Sequence, residues 1–166
     1  MLPLFSLAPV RLALISIVPL YVAAQPANLP PSITGAWSSS EVRSVQFKDR
    51  ATGAFAKPSG AIITYHISPD GQYRKEALIQ TSMYNCSDVV FATESGRVFL
   101  DDGKLVFAST GGKLNSQDNC NARFNYSKQL APKRYVYSQW LLRDGQTGPE
   151  LCMADEKTHL CYRRKN

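Results

Sequence analysis

Histidine is scarce in this chain: His66 and His159 are the only two in 166 residues. Neither has a His, Glu or Cys partner at metal-site spacing, so an imidazole-based metal centre has no starting point. No G-x-S-x-G occurs, which removes the nucleophile elbow of a serine hydrolase. The stretch "STGGKL" lacks a phosphate loop's first Gly and its Ser/Thr, with Phe107 and Leu114 in those places, and reads as a loop. No CxxC knuckle is present, which argues against structural zinc. No long basic tract is present either; the densest clusters are "YRRKN" and Lys128, Lys133 and Arg134. A nucleic-acid partner is therefore not expected. From Ile33 onward no helical period is sustained over three turns, which excludes a helical body. The apolar run "LALISIVPLYVAA" is too short for the roughly 20 residues that span a bilayer, and it contains Pro19. No stable membrane anchor is expected.

That run follows Arg11 and ends in Val22-Ala23-Ala24, the pattern of a secretory leader cleaved after Ala24. Residues 1–24 are thus expected to be a signal peptide. Residues 25–32, "QPANLPPS", hold three prolines and predict an extended, poorly ordered lead-in. Residues 33–166 make one domain's worth of chain. Loss of Arg11 with the leader takes the net charge from +6 to +5, a modest excess. Secretion, or export to a periplasm in a bacterium, is the expected localisation. Two sequons, at Asn85 and Asn125, matter only where the source glycosylates.

Short β-rich runs separated by turn signals fill the body. They include "AIITYHIS", "YRKEALIQTSMY", "DVVFAT", "RVFL", "KLVFAS", "RYVYSQWLL", "ELCMA" and "HLCYR". Asp70-Gly71, Ser95-Gly96, Asp102-Gly103 and Asp144-Gly145 supply the positive φ of tight hairpins. The chain predicts an all-β fold, an antiparallel up-and-down barrel of about eight to ten strands, because closure removes exposed edges. A two-sheet sandwich is the alternative. It needs long crossovers, and only "KDRATGAFAKPSG" and "TGGKLNSQDNCNARFNYSKQLAPK" read as long connections.

All four cysteines follow the leader, compatible with two disulfides in an oxidising compartment. In "ELCMADEKTHLCYRR", a turn at Glu156-Lys157 sets Cys152 opposite Cys161, Met153 opposite Leu160 and Leu151 opposite Tyr162. One register thus accounts for both a bridge and an apolar face. Cys152–Cys161 is the predicted pair, which leaves Cys86 for Cys120.

The triplet Gly35-Ala36-Trp37 resembles the G-x-W signature of the lipocalin and wider calycin superfamily, and "HISPDGQY" resembles a hairpin of small exported bacterial lipocalin-like proteins. The resemblance implies that Trp37 plugs the closed end of the barrel while an Arg from the last strand crosses its ring. Strand alternation puts Arg164 on the side of Leu160 and Tyr162, so Arg164 is the expected partner and Arg163 the reserve. Guanidinium over indole contributes about 0.5–2 kcal/mol.

Aromatic loading is the remaining distinctive feature, and it either packs a core or lines an apolar cup. The cup reading is an exported lipocalin-like barrel that binds a small apolar ligand, with the strand-borne aromatics Tyr65, Phe91, Phe107, Tyr137 and Trp140 as pocket candidates. The alternative is a dry, packed barrel acting as an interaction module or secreted inhibitor, with contacts in Phe55 to Pro58 and Gly111 to Lys133. No nucleophile, base and orienter occur together, so an enzyme is not expected. Asp101-Asp102 reads as turn chemistry and "NSQDNCN" lacks EF-hand order, so neither metal nor cofactor is expected. A monomer is expected, and the sequence names no protein partner.

Overall fold

Alternation of apolar and polar residues in "AIITYHI" and "YRKEALI" favours strands over helices, and ten strands form among the described residues. The computed structural model of the chain describes residues 29–43, 48, 50, 51, 53, 58–83 and 86–165. The expected leader lies outside them, as do residues 55–57 and Asn85. The strands are β1 (Gly35–Arg43), β2 (Ser59–Ile67), β3 (Gln72–Met83), β4 (Cys86–Asp101), β5 (Lys104–Asp118), β6 (Tyr126–Leu130), β7 (Lys133–Tyr137), β8 (Gln139–Gly145), β9 (Gly148–Ala154) and β10 (His159–Arg164). A short 3-10 turn, Pro31–Ile33, precedes β1 and buries Ile33 completely, so Pro31 and Ser32 belong to the folded body.

The ladders of these ten strands are all antiparallel, and the order is β6-β5-β4-β3-β2-β1-β10-β9-β8, with β7 also on β5. The fold is therefore all-β, with sequence neighbours paired as in a meander. Among the described residues the ladders do not close into a ring. The margins are β6 and β7 on one side and β8 on the other. β7 runs on through Ser138 into β8, and a strand that continues into the next cannot double back to pair with it. Across this seam the Trp140 indole N–H donates to the Gly103 carbonyl at 2.9 Å.

The sheet is strongly curled. Tyr65 on β2 and Phe107 on β5 are three strand spacings apart in the ladder, about 14 Å in a flat sheet. Their ring centroids lie 5.1 Å apart. Tyr162 on β10 meets Tyr65 from the other side, edge-on at 5.2 Å. The core joins Trp37, Tyr65, Tyr73, Val98, Leu105, Phe107, Leu151, Met153 and Tyr162 on this one inner face.

Several expectations need correction. Ser95-Gly96 is no hairpin turn: β4 runs unbroken from Cys86 to Asp101, and the register shifts at Ser95/Gly96 as a β-bulge. Gly96 has no Cβ to meet the Ala108 carbonyl, so the two strands stay in contact there. The β8–β9 turn lies at Gln146-Thr147 rather than Asp144-Gly145, because Gly145 still pairs with Gly148. The stretch "STGGKL" is strand, not loop, and most of the expected long connection from Thr110 to Lys133 is the second half of β5 followed by β6.

Both disulfides match the predicted pairs. Cys86–Cys120 ties the start of β4 to the turn after β5, and Cys152–Cys161 bridges β9 and β10 in the register read from the sequence.

Candidate functional site

Alternation along each strand, carried across by the ladder registers, defines what faces inward. In β2 the inward set is Ile63, Tyr65 and Ile67; in β3 it is Tyr73, Lys75, Ala77 and Ile79. Lys75 pairs with Glu94, Ala77 with Ala92, and Ile79 with Val90. Ala92 continues to Leu114, and Phe107 to Tyr135. Two charged residues therefore sit on the same face as the aromatic core.

At the base Trp37 is fully buried, and its indole N–H donates to the Ile33 carbonyl at 2.6 Å. Arg164 pairs with Trp37 in register, and its guanidinium carbon stands 5.1 Å from the ring centroid. The same guanidinium donates to the Thr34 carbonyl. Arg164, not Arg163, takes this place; Arg163 points to the outer face, 3.4 Å from Glu150.

Above the plug the rings pack against one another. Tyr73 meets Phe107 edge-on at 4.9 Å, and Tyr137 meets Phe107 edge-on at 5.8 Å. Of the pocket candidates, Tyr65, Phe107 and Tyr137 thus come together, with Tyr65 and Phe107 buried in a filled core. Trp140 packs beside that core at the β8 seam. Phe91 does not join them. With Val90 and Ala92 facing inward, strand parity turns Phe91 outward, 39% exposed, beside Leu78 on β3.

At the upper limit of the packed rings lies a polar cluster. Glu94 is 8% exposed. Its Oε1 accepts the Tyr73 hydroxyl at 2.8 Å and its Oε2 the Tyr135 hydroxyl at 2.9 Å. Burial, then the hydrogen bond to Glu94, pushes the Tyr135 phenol up to about 12 and Tyr73 higher still. The Lys75 ammonium lies 5.5 Å from the Tyr65 ring centroid and 5.2 Å from that of Tyr135. Lys133 is 4.7 Å from the Tyr135 ring. Burial lowers the Lys75 pKa, and Lys133 adds to that effect against the opposing charge of Glu94.

Comparison with known protein families, curated proteins and solved structures returns no match. The chemistry of this cluster therefore rests on its own geometry.

Tyr73, Lys75, Glu94, Lys133 and Tyr135 are the residues that sequence reasoning missed. A signal was present in "YRKEALI": Lys75 shares strand parity with Tyr73, Ala77 and Ile79. Above the cluster the inner face turns apolar but is no longer sealed. Val90, Ala92 and Leu114 are half-buried there, and Ile79 is 43% exposed. A hollow of about 430 Å³ lies on the β1–β3 side of this end, lined by Glu41, Ala61, Ile79 and Thr81 among others and by no residue of β4 or β5.

Glu150, Cys152 and Cys161 lie within ligand distance of one another, but the two sulfurs are bonded together and cannot bind a metal. His66 and His159 are exposed. Among the described residues no helix is long and apolar enough to cross a membrane.

Proposed function

We propose that the protein is an exported, lipocalin-like binding protein whose curled sheet acts as a barrel, closed along the seam from β7 through Ser138 into β8. It holds a small apolar molecule on the upper inner face. One observation carries this reading: the packed core fills only the base of the inner face, and an apolar surface on the same face continues beyond Lys75 and Glu94 only half-buried. Apolar surface left open beside a finished core marks a binding site more often than a packing fault. Two disulfides are consistent with an oxidising compartment. The ligand then lies above Tyr65, Phe107 and Tyr137, which form the floor of the site.

Native mass spectrometry and dye displacement against fatty acids, retinoids and haem test the reading. At least one class is expected to displace the dye. Ile79→Glu, on the inner face, is expected to weaken that binding about tenfold or more, while Phe91→Ala, on the outer face, leaves it unchanged. Silence across the panel overturns the proposal.

The packed rings at the base also support a second reading, a dry barrel that presents its loops to a protein partner. Of the segments it draws on, residues 55–57 lie outside the described residues, and Gly111 to Lys133 is mostly strand. That leaves the turn at Asn119 to Asn125, where Phe124 is 60% exposed. Phe124→Ala abolishing partner capture while Ile79→Glu has no effect on any ligand would favour this second reading.

A further inference from the structure

We infer that Lys75 receives the singly charged, carboxylate-type head group of a ligand whose apolar tail runs up the inner face along Ala77, Ile79, Val90 and Ala92. The inference rests on the ligand-binding reading above and assigns the ligand's polar end. Among the described residues the Lys75 ammonium has no hydrogen-bond or ion-pair partner, only the faces of Tyr65 and Tyr135. Ring faces attract a cation but do not satisfy its three N–H donors. Glu94, its cross-strand neighbour, already accepts from two phenols, one on each carboxylate oxygen. Lys133 adds a second ammonium at the Tyr135 ring. Two ammonium groups against one carboxylate leave the cluster one positive charge in excess, which matches a monoanion and disfavours an alkylammonium head.

Polarity along the wall fixes the ligand's direction. From Lys75 to Ile79 is four residues of β3, about 13 Å. Between them the inner face offers Ala77 and its partners Ile63 and Ala92, then Ile79 with Ala61 and Val90. An anionic head is thus favoured at the Lys75 end, with an acyl chain of medium length running along the apolar wall beyond it.

The test is isothermal titration of the full chain with decanoate, decanol and decylamine, in wild type, Lys75→Met and Lys75→Arg. Decanoate is expected to bind wild type about tenfold tighter than decanol. That ratio is expected to fall to near one in Lys75→Met, with decanol affinity unchanged, and to persist in Lys75→Arg. Equal affinity for decanoate and decanol in wild type overturns the head-group assignment but leaves the binding reading standing. So does a preference that survives in Lys75→Met, or tightest binding of decylamine. Binding of none of the three overturns both. Should Lys75→Met not fold, Lys133→Met, at an exposed position, is expected to lower the ratio about threefold, and an unchanged ratio there overturns the assignment.

Discussion

Trp37 and Arg164 show how far single residues could be read. The G-x-W triplet and the parity of the last strand place a guanidinium over the indole, and the structure has it there. Removing the ring empties the base of the core, so Trp37→Ala is expected to cost about 3–5 kcal/mol. Arg164→Ala removes the cation from the ring and is expected to cost about 0.5–2 kcal/mol. Urea unfolding of both variants checks this, and an Arg164→Ala loss as large as that of Trp37→Ala would mean the guanidinium holds more than the plug. The tyrosines give a second expectation at this scale. A phenol is neutral when protonated, and Tyr135 is shifted from its ordinary 10.0 to about 12. Between those values the folded chain keeps a proton that the unfolded chain has lost. Stability from this group is therefore complete below about pH 10 and is lost as pH rises through 12. Tyr65, Tyr73, Tyr137 and Tyr162 shift in the same direction. Thermal melts are expected to show a falling midpoint above about pH 10, and Glu94→Gln should bring the ultraviolet titration of Tyr135 to lower pH. A midpoint flat to pH 12 would contradict the buried network. Lys75 and Glu94 escaped notice because a charged residue in a strand normally faces water. Only the register that sets Tyr65, Lys75 and Glu94 side by side reveals them.

Among the elements, turn chemistry was legible where it stood alone and misleading where it did not. Asp70-Gly71 and Asp102-Gly103 do form turns, with positive φ at Gly71, Asp102 and Gly103. Ser95-Gly96 carries the same signature, yet it lies within a strand, since a small residue serves a bulge as well as a bend. Likewise Gly111-Gly112 reads as loop but lies in β5, where Gly112 permits close approach to the Thr93 carbonyl. A methyl at position 96 would run into the Ala108 backbone, so Gly96→Ala is expected to destabilise the fold by several kcal/mol, about 3 or more. Chemical denaturation decides it, and a loss below about 1 kcal/mol, the ordinary Gly-to-Ala scale, would contradict the bulge. The disulfides follow loop length. Cys86–Cys120 spans 34 residues and Cys152–Cys161 spans 9. Chain entropy assigns about 3.5–4 kcal/mol to the first and about 2.5 kcal/mol to the second. Paired Ser substitutions are expected to rank in that order, and the reverse order would show that native packing around Cys152 outweighs loop closure.

For the whole molecule, the meander and the aromatic interior were legible, because both follow from period-two alternation and sequence-adjacent pairing; the joining of first and last strands was expected only from the barrel reading. The division of the interior was not. Sequence alternation cannot say that β3, β4 and β5 extend past the packed rings, nor that their inner face stays apolar beyond the point where the core is complete. That division is the basis of the binding proposal, with Tyr65 and Phe107 as floor and Ile79, Val90, Ala92 and Leu114 as wall. Amide chemical shifts of the ¹⁵N-labelled protein, followed during titration with decanoate, test it most directly. The expected perturbations cluster at Lys75, Ala77, Ile79, Ala92 and Leu114 and leave Trp37 and Leu151 at the base unmoved. A spectrum that does not change, or one that changes at the outer row of Ile62, Leu78 and Phe91 instead, would contradict a ligand on the inner face.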